Sequence, residues 1–466
     1  MNFASLPYLL FLVIVATIYF SIGKKYRSIF LLLGSYFFYS IFGFGFAALM
    51  LITSGVTYYF TLLSYKSSNH IKRKLFFYFA LIIDLLFFIL FKYVHIIDID
   101  VMNWPNFTVQ KVLIPIGISF YTFKTVGYCI DIYKRKYEPI NSFTEYALSV
   151  SFFPQLIAGP IEKSKTICSQ LNHSTYNKQN ILEGGKLILW GIFKKIVIAD
   201  SIAQITSSAF NKITNYHGTD YLIIFFAFAY QVYADFSGYS DIAIGSAKFF
   251  DVHLPANFNK PFFSKSFKEF WVRWHITMSQ WLRDYIYIPL GGNNLGKLRS
   301  IFNIFIVFLI SGFWHGASLN FILFSQVAFL FLLIETAAFY LWKKVYINSK
   351  LELPYIIKRI INYLVIVGYV AFLCIFFQYN NINDITYVIK NSYSLNIGNL
   401  GSQKTIYLFI TILVFELLQH FQLSPVGHCF QKVKSFHLRL IMYLAMLFSI
   451  LTLSSRLDVT FQYFQF

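Results

Sequence analysis

Ser300–Ile334 reads SIFNIFIVFLISGFWHGASLNFILFSQVAFLFLLI, and no aspartate, glutamate, lysine or arginine interrupts it. A helix needs roughly 20 apolar residues to cross the hydrocarbon core of a bilayer. This run is too long for one span, so it predicts two helices or a broken pair. At its centre stands Ser311-Gly312-Phe313-Trp314-His315-Gly316-Ala317. His315 is the one ionisable residue of the run. Such a side chain is expensive to bury in a membrane and marks a functional position by default. Gly312, Gly316 and Ala317 allow a break, or close approach by another helix or a ligand. A structural hydrogen-bonding histidine is the alternative that this run alone leaves open.

The same character extends outward. Leu6–Ile22 and Ser28–Tyr65 also carry no charge, and the whole chain is 57% hydrophobic and 13% charged. Its mean hydropathy is +0.58. The fold class is therefore an all-α polytopic membrane protein. Leu6–Ile22 lacks a basic stretch before it and a small-residue cleavage site after it, so it reads as a retained first helix. The net charge of +19 does not imply nucleic acid. Lysines and arginines sit in short clusters between apolar spans, the positive-inside pattern of a protein in a lipid bilayer. Cys129, Cys168, Cys374 and Cys429 show neither metal nor disulfide spacing and receive no role; no metal is expected.

Basic clusters set a topology if they face the cytoplasm. Lys24, Lys25 and Arg27 follow the first span, which puts the N-terminus outside. Ser28–Tyr65 then leaves and returns, bending near Gly43 and Gly45. Lys72–Lys74, Lys134–Lys136, Lys343–Arg359 and Lys432–Arg439 mark further inner loops, and Asp98 and Asp100 lie in an outer one. The C-terminal residues fall outside. Residues 142–299 mix apolar runs with polar islands, which predicts re-entrant segments buried in protein. The total is roughly eleven spans in a single transmembrane domain. Residues 1–140 form N-terminal helices, 141–341 the core and 342–453 C-terminal helices, with 454–466 an outer tail.

Pro255–Arg299 reads PANFNKPFFSKSFKEFWVRWHITMSQWLRDYIYIPLGGNNLGKLR. Phe267, Trp271, Trp274, Met278, Trp281 and Tyr285 recur at spacings of three and four, one face of an amphipathic helix. His275, Ser279 and Arg283 make a second, polar face, and Glu269 can pair with Arg273. Pro289, Gly291 and Gly292 end the helix. An interfacial helix with aromatic rings at headgroup level is the competing reading. Asp84, Asp200, Asp235, Asp241 and Glu335 lie in or beside apolar spans. Pairing with cations or backbone amides is expected for most of them; Asp235 and Asp241 are expected nearest an active cavity.

Taken together, these motifs resemble the membrane-bound O-acyltransferase family. The motifs are Phe152-Phe153-Pro154-Gln155-Leu156-Ile157-Ala158-Gly159-Pro160-Ile161, Asp235-Phe236-Ser237-Gly238-Tyr239-Ser240-Asp241 and Asn257-Phe258-Asn259-Lys260-Pro261-Phe262. They continue with Phe270-Trp271-Val272-Arg273-Trp274-His275, with Trp281-Leu282-Arg283-Asp284-Tyr285-Ile286-Tyr287-Ile288-Pro289-Leu290-Gly291-Gly292, and with Trp314-His315-Gly316. They occur in the family's order and span most of the chain. The likeness is to its bacterial branch, which serves alginate and peptidoglycan O-acetylation and teichoic-acid D-alanyl transfer. Val272 stands where members often have a second arginine.

The resemblance implies a ring of tilted helices around a central cavity, with re-entrant or interfacial helices, and His315 as the catalytic histidine with His275 as the second. Trp314, Ser311, Arg283, Asp284, Asp235 and Asp241 would support them. It implies a cytoplasmic thioester donor such as acetyl-CoA, no permanently bound cofactor, and the bacterial cytoplasmic membrane. An envelope polysaccharide would be the indirect acceptor, reached through an SGNH-hydrolase-like extracytoplasmic acetyltransferase. The chemistry agrees: acyl transfer to a hydroxyl needs a base that titrates near neutrality, donors for the developing oxyanion and a dry site. The tail Phe461-Gln462-Tyr463-Phe464-Gln465-Phe466 resembles a terminal motif of these systems, with Tyr463 as the acyl carrier. An aromatic interfacial anchor is the plainer alternative. A transporter or channel for acyl groups would explain the spans, but neither the paired histidines nor Tyr463.

Overall fold

The structure, a computed structural model, describes residues 2–93, 115–316, 318–345, 354–379, 381–392, 400–422, 424–428 and 430–454. Those residues form helices joined by loops, with no strand among them. In chain order the early helices are α1 (Leu6–Ser21), α2 (Lys24–Ser40), α3 (Phe44–Lys66), α4 (His70–Tyr93), α5 (Ile118–Tyr133), α6 (Phe143–Ser151), α7 (Phe153–Leu156) and α8 (Ser164–His173). Then come α9 (Lys178–Phe193), α10 (Asp200–Phe210), α11 (Thr219–Lys248), α12 (Phe267–Arg273) and α13 (Ile276–Leu282). The chain continues with α14 (Lys297–His315), α15 (Leu319–Val345), α16 (Tyr355–Gln378), α17 (Ile382–Asn391), α18 (Ser402–His420) and α19 (Phe436–Ser454).

Among the described residues, six helices are long and apolar enough to cross a membrane: α3, α4, α14, α15, α16 and α19. Their exposed side chains are apolar, as Leu444, Phe448 and Leu451 on α19 illustrate, which suits contact with lipid rather than water. Reaching the expected eleven draws on shorter or more polar helices, among them α1 and α11. The bend expected near Gly43 is present: α2 ends at Ser40, and Gly43 takes φ 153° immediately before α3. A side chain there would be strained. The run Ser300–Ile334 is the expected pair, α14 and α15, turning directly after His315.

The chain divides into two compact units. The first comprises residues 1–189 and 239–255, the second 190–238 and 256–466. In the first, Tyr39 donates to the Ile116 carbonyl at 2.7 Å and Tyr8 to Ser246 at 2.9 Å. Asp84 accepts from the Thr57 hydroxyl at 2.8 Å, so this intramembrane acid is hydrogen-bonded as a buried one must be. Asp241 belongs to this unit and is buried.

One expectation fails in the second unit. The segment from Phe267 to Tyr285 is not a single amphipathic helix. It breaks between α12 and α13 at Trp274 and His275, and His275 sits at φ 41°, ψ 55°, in the left-handed region. The cause is the Asn257–Asn259 strip. Ile276 N–H donates to the Asn257 carbonyl at 2.9 Å, and Asn259 N–H donates to the Arg273 carbonyl at 3.0 Å. Thr277 Oγ1 donates to Asn257 Oδ1 at 2.6 Å. These bonds use groups that a continuous helix would pair internally. Of the polar stripe expected there, His275 and Ser279 line one cavity while Arg283 is exposed. The pairing of Glu269 with Arg273 holds, at 2.6 Å, and Ser266 caps α12 by accepting from Glu269 N–H at 3.0 Å.

Candidate active site

Six helices of the second unit, α11 to α16, enclose a cavity of about 190 Å³. That is far more than the ~10–15 Å³ one water requires. Its walls are mostly apolar and aromatic: Val232 from α11, Phe270, Trp271 and Met278 from α12–α13, Phe308 from α14, Phe324 from α15, Leu373 and Phe377 from α16. Four side chains bring polar groups that can face it: His275, Ser279, Ser311 and His315. A largely apolar pocket with a few convergent polar groups is the usual form of a small-molecule site.

His315 ends α14, and the backbone leaves the helix at Gly316 in an extended conformation. Three aromatic rings surround the imidazole, with centroids 5.5 Å away at Phe324, 5.8 Å at Phe377 and 6.4 Å at Phe321. It is half-buried, open on the cavity side. Trp314 is buried, and its indole touches both histidines, 4.9 Å from the His315 ring and 5.8 Å from that of His275. On its other side His275 meets Phe236 edge-on at 4.8 Å. His275 is 3% exposed. It lies outside the six apolar spans, and burial pushes its imidazole down to about 3, so it is neutral at physiological pH. The site therefore offers one deeply held neutral imidazole and one accessible imidazole, linked by an indole.

Gly312 makes the hairpin that presents His315 possible. A Cβ there would meet Ser325 Oγ, the Phe321 carbonyl oxygen at 2.9 Å and Ile322 Cα at 3.1 Å. Two of those atoms are backbone and cannot swing away, so α14 and α15 touch only because this residue is glycine. Gly312→Ala is expected to cost about 1–3 kcal/mol through overpacking. The check is a lower thermal midpoint in detergent; an unchanged midpoint would contradict this packing.

The supporting residues expected from the sequence separate into groups. Ser311 lines the cavity, and Trp314 packs behind it. Arg283, Asp284, Asp235 and Asp241 are not among the lining residues. Arg283 is 57% exposed and pairs at 2.8 Å with its neighbour Asp284, because the π-helical turn over Arg283–Tyr287 carries both away from the wall. Asp235 is buried and shares the Lys195 ammonium with Asp200, at 2.9 and 2.7 Å. Its place is structural: it pins α11 one residue before Phe236, the ring against His275. The polar island around it is explained likewise. Lys194 donates to Ser237 at 3.0 Å, and Tyr233 donates to Gln419 at 2.8 Å. Tyr463 lies outside the described residues.

Sequence reasoning missed Lys195, although the doublet Lys194-Lys195 inside an otherwise apolar stretch was a readable signal. It also missed the wall that α16 supplies, Val370, Leu373, Cys374 and Phe377. Nothing in that helix distinguishes a cavity-facing residue from a lipid-facing one.

Comparison with known proteins places the chain in a family. The family model of the membrane-bound O-acyltransferases matches residues 139–378. The chain is 35% identical over 375 residues to a probable alginate O-acetylase of Pseudomonas syringae, covering 78% of this chain and 70% of that one. It is 30% identical over 400 residues to the peptidoglycan O-acetyltransferase of Helicobacter pylori, covering 80% and 74%. To the teichoic acid D-alanyltransferase of Streptococcus thermophilus it is 29% identical over 257 residues, covering 52% and 60%. The matched region holds both histidines and most of the cavity wall, and the chain belongs to the membrane-bound O-acyltransferase family.

Proposed function

We propose that this membrane O-acyltransferase moves acetyl groups from a cytoplasmic thioester, acetyl-CoA, towards a cell-envelope polysaccharide. The observation that carries the reading is the pairing of His275 and His315 on one apolar cavity. His315, the more accessible imidazole, takes the proton of the attacking hydroxyl. The hydroxyl oxygen forms the new ester bond as the thioester bond breaks, and the proton passes to the leaving thiolate. His275, neutral and held by Phe236 and Trp314, orients the acyl group. The aromatic walls exclude the water that would otherwise hydrolyse it. Relatives named for alginate and peptidoglycan acetylation support a polysaccharide as final acceptor.

In this scheme the attacking hydroxyl is that of Tyr463. The charge clusters put both termini outside the bacterial cytoplasmic membrane, where an SGNH-hydrolase-like acetyltransferase collects the acyl group. Tyr463→Phe is expected to abolish polymer acetylation in cells while leaving the protein folded and inserted. Wild-type levels of acetylated polymer in that variant would remove the relay.

A further inference from the structure

When a hydroxyl attacks a thioester, the carbonyl oxygen becomes an oxyanion. It needs a hydrogen-bond donor fixed where that charge develops. Two serines line the cavity, Ser279 and Ser311. Ser279 Oγ donates to the Trp271 carbonyl at 3.3 Å, so its proton is committed. Trp271 Nε1 is committed too, to the Tyr369 hydroxyl at 3.0 Å. The Ser311 hydroxyl makes no hydrogen bond with the described residues. A serine inside a helix ordinarily returns its proton to a carbonyl three or four residues back. Ser325 does so on α15, to Ile322 at 2.9 Å, and Ser449 on α19, to Ala445 at 2.8 Å. Ser311 does not, and it borders the cavity instead.

Ser311 and His315 lie four residues apart on one continuous helix, α14. Residues at that spacing stand one above the other, about 5–6 Å apart at Cβ, and both of these line the cavity. The contact of Gly312 with the α15 backbone, 2.9 Å from an added Cβ to the Phe321 carbonyl oxygen, fixes the rotation of α14 and so the direction of its neighbour Ser311. Val307, Phe308 and Phe324 make the surrounding wall apolar. There a hydrogen bond to a developing charge is worth more than in water.

We propose that Ser311 is a catalytic residue, whose hydroxyl donates to the carbonyl oxygen of the bound thioester and stabilises the oxyanion formed on attack. This assignment rests on the acyl transfer proposed above. As the incoming oxygen bonds to the carbonyl carbon, its own proton passes to His315, and the electron pair of the C=O bond moves onto the oxygen that Ser311 holds. That pair then re-forms the C=O bond as the C–S bond breaks, and His315 returns the proton to the thiolate. The Ser311 proton stays on its oxygen throughout. Ser311 is not the nucleophile: a serine activated by His315 would be hydrogen-bonded to it, and Ser311 makes no such bond.

The experiment follows capture of label from acetyl-labelled acetyl-CoA by the purified full-length chain, over a range of donor concentrations and pH. Ser311→Ala should slow the maximal rate about 10²-fold, the usual cost of one oxyanion donor. Its half-saturating acetyl-CoA concentration should stay within about threefold, because the bond strengthens only in the transition state. The pH profile, set by His315, and the thermal midpoint should not move. Ser311→Thr keeps the hydroxyl, has room for its methyl in the cavity, and should regain most of the rate. An alanine variant within about threefold of the unaltered maximal rate would overturn the assignment. So would a threonine variant as slow as alanine, a rate loss matched by a fall in the thermal midpoint, or label found on Ser311 itself. Failure of the unaltered protein to capture any label would overturn the proposed function and this assignment together.

Discussion

Replacing His315 with alanine is expected to lower acyl transfer by about 10²–10⁴-fold, the usual contribution of a positioned base. The protein should remain folded. His315 is the last residue of α14, alanine is the best helix former, and the imidazole is half-buried rather than packed in a core. The lost ring enlarges a cavity that is already open. Activity should therefore collapse while the thermal midpoint falls little. His275→Ala should behave differently. That imidazole fills the space between Phe236 and Trp314, and its backbone holds the break between α12 and α13, so stability and activity should fall together. Comparing the two variants by transfer rate and by thermal midpoint separates the base from the residue that positions it. Near-normal transfer by the His315 variant would mean the assignment is wrong.

The second large effect concerns stability. Lys195→Met is expected to destabilise the protein by about 3–5 kcal/mol, because removing one partner strands buried charge. Here one ammonium serves two carboxylates, Asp200 and Asp235, all of them at most 5% exposed. A triple variant, Lys195→Met with Asp200→Asn and Asp235→Asn, should recover part of the loss, since no uncompensated charge remains. Because Asp235 stands outside the cavity wall, activity per folded molecule should change little in that rescue. A rescued midpoint with activity still abolished would instead give Asp235 a direct part in the reaction.

Much of the frame was legible because its signals are local. An uncharged run longer than one span must turn, and the glycines around His315 located the turn. Gly43 marked the other bend for the same reason. Both histidines were readable from their motifs, and the structure puts them on one cavity. What escaped the reading depends on tertiary competition. The aromatic spacing of Phe267–Tyr285 follows a helical period, yet Asn257 and Asn259 take the backbone bonds at its centre. Periodicity cannot register a partner that arrives from elsewhere in the chain. The same break, with the π-helical turn after it, turned Arg283 and Asp284 to an exposed pair rather than to the cavity. Asp235 was expected nearest the active cavity; it pairs with Lys195 instead and is not part of the cavity wall. The α16 wall was illegible because a buried face and a lipid-facing face are equally apolar.

The central claim is that this chain performs the chemistry itself, with His315 as the base. The most direct measurement incubates purified protein with acetyl-labelled acetyl-CoA and follows both free CoA and label bound to the chain. The account predicts label captured as an aryl ester on Tyr463, with CoA released in equal amount. Tyr463→Phe should capture none, and capture by His315→Ala should be slowed by the factor given above. Label that crosses reconstituted membranes without ever becoming bound to the chain, at the same rate in both variants, would contradict it and make the protein a conduit.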